Sequence, residues 1–135
     1  MAGAETPNEL RQRLLTVLQP VVPVQQEDDG ALTVQHDGTF ASLRVVPVAE
    51  GLDLISLSQI LAWDVPLDKR IRAKITRLAH DTMLGTVALV EKKRLADVLL
   101  RYNFPGTGLS DEALTTLILM VLATGAEVRQ ALASP

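Results

Sequence analysis

Apolar residues fall first at helical spacing, in Leu10, Leu14, Val17 and Leu18 of "TPNELRQRLLTVLQP". Thr6 can cap this run, Pro7 suits a first helical position, and Glu9 completes a capping-box pattern with Thr6. Pro20 stops it. A second helical stripe, Leu67, Ile71, Ile75, Leu78 and Thr82, runs through "LDKRIRAKITRLAHD". Pro66 reads as its first helical residue, Asp68 favours the positive helix end, and Gly85 offers a left-handed stop. A third, broader stripe comprises Leu114, Leu117, Ile118, Val121, Leu122 and Val128, with Ser110 as cap and Asp111 and Glu112 in the first turn.

Between the helical segments the pattern changes to β-rich runs. "ALTVQH", "TFASLRVVPV" and "LDLISLSQILAW" are separated by Asp37-Gly38 and Glu50-Gly51, so they read as an antiparallel meander. Pro47 marks an edge or a bulge in the second run. "GTVALVEKKRLADVLLRYNF" supplies two more strands, with "EKK" as their connection, and "PGTGLSDEAL" leads into the last helix. The expected fold is α+β: a twisted, mainly antiparallel five-stranded sheet with three helices, in the order α-β-β-β-α-β-β-α.

The third run is the least ordinary. A strand covered on one face alternates apolar and polar residues. Here one face offers Leu52, Leu54 and Ile60, while the other offers Ile55, Leu57, Leu61 and Trp63. Either the chain covers both faces itself or another molecule covers one. The second alternative makes Ile55, Leu57, Leu61 and Trp63 the expected partner-binding or homodimer surface.

Composition narrows the function classes. The length of 135 residues fits a single domain over 1–135, and a hydrophobic fraction of 47% is that of a globular chain. A net charge of -3 gives no global attraction to nucleic acid or anionic membrane. The absence of cysteine excludes disulfides, thiol catalysis and thiolate metal sites, and fits a cytoplasmic location. The N-terminus lacks a signal-peptide pattern. The threonines and bracketing acids of "ALTTLILMVLATGAEV" favour a buried helix over a membrane span. Phe40, Trp63, Tyr102 and Phe104 are all the aromatics, too few for a base-stacking surface.

Within this acidic chain, five of thirteen basic residues lie between Lys69 and Arg77. Arg70, Lys74 and Arg77 fall within about 60° on a helical wheel. They form either the solvent face of an amphipathic helix, a docking surface for an acidic partner, or a nucleic-acid contact. The third reading lacks the turn and recognition helix of a DNA reader.

The order of elements, together with "LDLISLSQIL", "LDKRIRAKITRLAHD" and "GLSDEALTTLILMVLATGAEVRQAL", resembles the fold of type III secretion chaperones, and specifically the YbjN family of chaperone-like bacterial proteins. The resemblance runs from about Leu10 to Leu132. It implies a partner-binding protein, dimeric as secretion chaperones typically are. Proteins of the YbjN family have often been labelled sensory transduction regulators.

Catalytic constellations are missing from the sequence. His36 adjoins the Asp37-Gly38 turn, and His80 precedes Asp81 at a helix end, where a histidine suits the helix dipole. Neither has the orienting partner that nucleophilic catalysis requires. "EDDG" at 27–30 lacks the ligand spacing of a calcium loop, and "FPGTGLS" lacks the lysine of a phosphate loop. The sequence therefore points to a protein-binding module with no cofactor and no metal, nucleic-acid binding through the basic helix being the alternative.

Overall fold

A computed structural model describes residues 5–135. Its described elements are α1 (Pro7–Leu18), β1 (Val24–Gln26), β2 (Leu32–His36), β3 (Thr39–Ala49), β4 (Leu52–Pro66), α2 (Lys69–Asp81), β5 (Thr86–Lys92), β6 (Leu95–Pro105) and α3 (Asp111–Ala133). The fold is α+β, with three helices and one six-stranded antiparallel sheet. The sheet has one strand more than the pattern predicts. The addition is β1, a polar tripeptide whose Val24 pairs with Val34. Partner pairing makes this segment a strand; its own composition does not.

Local chemistry sets the helix boundaries. At α1, Glu9 N–H donates to Thr6 Oγ1 at 3.1 Å and Thr6 N–H donates to Glu9 Oε1 at 3.0 Å, a closed capping box. At α3, Ala113 N–H donates to Ser110 Oγ at 3.1 Å. α2 departs from expectation: Pro66 belongs to β4, paired with Leu95 of β6. The cap is Asp68, which accepts from Ile71 N–H at 2.8 Å. α2 also stops at Asp81, before Gly85, whose φ of 88° serves the bend into β5 instead.

The strands follow the order β1-β2-β3-β4-β6-β5. α1 packs on β3, α3 on β4 and α2 on β5, and both α1 and α2 touch α3, so the helices form one layer. The core between the layers is aliphatic, with Leu10, Leu14, Leu43, Leu100, Ile118 and Leu122 among its fully buried members. By length and composition α3 could cross a membrane. In this fold its Leu114, Ile118, Val121 and Leu122 are buried against the rest of the chain, while Leu117 is only partly covered.

A buried amide sits inside this core. Gln59 of β4 is fully buried, and its Nε2 donates to Thr39 Oγ1 at 2.8 Å and to the Leu122 carbonyl at 3.1 Å. Among the described residues its Oε1 has no hydrogen-bond partner, and it faces Gly125 of α3, where a Cβ would stand 1.9 Å away. The small residue at Gly125 is what lets α3 lie this close to β4. That approach also places the last turns of α3 beside the far end of β4.

Candidate functional site: an apolar groove at the free edge of β4

β4 is the longest strand, and it outruns its neighbour. The β3–β4 ladder ends at the Phe40–Ile60 pair, because β3 begins just after the Asp37-Gly38 turn. β4 continues to Pro66 with only β6 beside it. Along this stretch its register against β6 slips twice. Ile60 to Ala62 spans two residues opposite the single step from Leu99 to Val98, and Ala62 to Val65 spans three opposite the two steps from Val98 to Ala96. Each slip is a β-bulge, which bends the strand and re-aims its side chains.

A polar cluster fixes the second bulge. Asp64 adopts a φ of 51°, a left-handed conformation that aspartate tolerates better than bulky residues do. Its N–H donates to Asp97 Oδ1 at 3.0 Å. Lys92 Nζ lies 2.6 Å from Asp64 Oδ1 and 2.9 Å from Asp97 Oδ1. The Asp64 N–H, and after it the Lys92 ammonium, hold the Asp97 carboxyl below its ordinary range. The two carboxylates in turn raise Lys92, Asp64 first. With the bulges set in this way, Trp63 leaves the core face and is 67% exposed.

Trp63 borders a groove of about 650 Å³ between the end of the β2–β3 hairpin, the free edge of β4 and the last turns of α3. Phe40, Ile60, Trp63, Val65 and Leu132 are among its apolar lining residues. Consecutive residues of β4, from Ile60 to Trp63, all contribute. Since successive residues point to opposite faces of a strand, a groove lined this way runs along the strand's edge. Phe40 is 54% exposed, so the two large aromatics at this end of the sheet stand open together. Arg129 is the one charged lining residue, its Nη1 3.1 Å from where a Gly38 Cβ would lie.

The residues singled out from the sequence divide between this site and the core. Ile55 and Leu57 are fully buried and Leu61 is 2% exposed, packed under the helices. They are not a free partner surface. The double apolar face resolves instead into an inner row of Ile55, Leu57, Gln59 and Leu61 and an outer row of Leu54, Ser56, Ser58 and Ile60. None of the described helices covers the outer face, where Phe40 pairs with Ile60, Ser42 with Ser58 and Arg44 with Ser56. Of the four, Trp63 is the exposed one, and Leu61, though nearly buried, also borders the groove.

Of the basic residues, Arg70 and Arg77 are exposed and Lys74 is partly covered, its ammonium donating to the Ser134 carbonyl. The neighbouring Arg72 pairs with Glu91 at 2.8 Å. This surface is thus partly engaged within the chain. His36 lies 3.6 Å from Asp37 in the hairpin, and exposed His80 lies 3.2 Å from Asp81. Asp29 of the "EDDG" turn pairs with Arg44. The "FPGTGLS" loop is clamped by Arg13, which donates to the Leu109 carbonyl at 2.8 Å and pairs with Glu5 and Asp111.

Phe40, Arg129 and Leu132 escaped the sequence reading because tertiary packing alone brings them to Trp63. The sequence signal nearest to the site is Asp64, a turn-tolerant residue closing an apolar strand. Compared with known proteins, the chain matches no family model, no curated protein and no solved structure.

Proposed function

We propose that this chain is a non-catalytic protein-binding module, chaperone-like or regulatory, of the kind to which its resemblance to the YbjN family pointed. It captures a segment of a partner on the apolar groove beside β4. The observation that carries this reading is the pair of exposed aromatics, Trp63 and Phe40, on a groove bordered by an unpaired strand edge. Apolar surface gathered in one concave place marks interaction sites, and a free edge accepts an extended segment by β-augmentation. A second copy of the chain associates through the helix-free sheet face around Leu54, outside the groove, because the inner row is occupied by the chain's own core.

The test is affinity capture from the producing cell, with wild type compared with a Trp63→Ser/Phe40→Ser pair. A defined polypeptide retained at constant stoichiometry by wild type and lost with the pair supports the reading. Equal capture by both proteins, or capture of nucleic acid in its place, contradicts it.

A further inference from the structure

We infer that the segment received at this site is an extended polypeptide that carries a carboxylate beside an apolar side chain, with Arg129 as the residue that selects the acid. The inference rests on the protein-binding reading and specifies the partner's chemistry. Three features of the groove point the same way.

Its lining is mainly apolar, with Ile60, Val65 and Leu132 among it and Gln130 the one uncharged polar side chain, so the inserted residue is apolar. Its side is a strand edge from Leu61 to Pro66, which offers backbone groups to another backbone rather than to a compact ligand. Its rim carries one ionic group, the guanidinium of Arg129, and among the described residues no carboxylate comes within the 4.0 Å of an ion pair. Arg13, Arg44 and Arg72 each have a carboxylate partner within the chain. Arg129 stands instead against Gly38, facing the space that the segment would fill. A planar guanidinium left in this position accepts a carboxylate in a two-pronged hydrogen-bonded pair, and it discourages a basic segment by like-charge repulsion. The selectivity is therefore local, and it operates on a protein whose net charge of -3 would by itself disfavour acidic partners.

The experiment is selection of a phage-displayed random nonapeptide library on the full chain, in parallel with an Arg129→Glu variant and a Trp63→Ser variant. Wild type is expected to enrich peptides that place Asp or Glu near one large apolar residue. The Arg129→Glu protein is expected to replace that acid by Lys or Arg. A synthetic peptide from the wild-type pool, titrated against the emission of the single tryptophan, should bind the Arg129→Glu protein about tenfold more weakly. Apolar peptides without an acidic preference, lost on Trp63→Ser, would overturn the role of Arg129 and leave the binding module standing. Failure to enrich any peptide on wild type, or enrichment unaffected by Trp63→Ser, would overturn both.

Discussion

Replacing Gly125 with alanine tests how closely α3 lies on the sheet. In an exposed helix interior this change stabilises by about 1 kcal/mol. At Gly125 the added Cβ would stand 1.9 Å from Gln59 Oε1 and 2.4 Å from its Cδ. Gln59 cannot turn aside cheaply, because it is fully buried and its Nε2 is bonded to Thr39 Oγ1 and to the Leu122 carbonyl. Relief requires the amide to leave both partners or the helix to lift from β4. A stranded buried polar group costs about 1–3 kcal/mol, and overpacking a core costs about the same. After the gain in helix propensity is subtracted, Gly125→Ala should destabilise the protein by up to about 2 kcal/mol. Urea unfolding should show a lower midpoint at an unchanged slope. Adding Gln59→Ala removes the clashing amide, so the double variant should be more stable than Gly125→Ala alone, with a non-additive term on the order of 1–3 kcal/mol. A Gly125→Ala protein as stable as wild type, or effects that simply add, would refute this packing.

The remaining predictions concern the sheet faces, the bulge and α2. Asp substituted at Ile55 or Leu57 should unfold the chain, since a charge in that core costs several kcal/mol, about as much as the whole stability of a small domain. The same change at Leu54 should leave it folded and weaken self-association, as light scattering and circular dichroism would show. Asp97 has a folded pKa below its unfolded value of about 3.9, so its contribution is present above that pH and is lost as pH falls through the folded value. The stability difference between wild type and Asp97→Asn should therefore shrink on acidification, and the Trp63 emission of the variant should shift because the bulge loses its anchor. Changing Arg70, Lys74 and Arg77 together to Gln should leave the fold intact. Neither protein should bind duplex DNA near physiological salt; steeply salt-dependent binding lost in the triple variant would contradict this.

Elements whose ends are written in local chemistry were legible. The Thr6–Glu9 capping box, the Ser110 cap, the Asp37-Gly38 hairpin and the irregularity at Pro47 all act within a few residues of themselves. β1 was not legible, because Val24–Gln26 becomes a strand only through β2. Pro66 has the chemistry of a helix start, and pairing with Leu95 keeps it extended. The two faces of β4 divide as the pattern implies, but which of them is covered depends on packing for a similar reason. Ser56 and Ser58 already mark the outer row, but Gln59 interrupts the inner one, and only the contact with α3 explains a buried amide there. Trp63 continues the inner row by period two until the bulges turn it out. The groove joins β3, β4 and α3, so no single stretch of sequence contains it.

The measurement that bears most directly on the account is photo-crosslinking in the producing cell from an unnatural side chain at Ala62, inside the groove, with Met83 as a control. Met83 is 93% exposed and contributes nothing to that lining. A discrete polypeptide adduct is expected from position 62, absent from position 83 and lost when Trp63→Ser is added. Adducts of equal yield from both positions, or none from position 62, would contradict it.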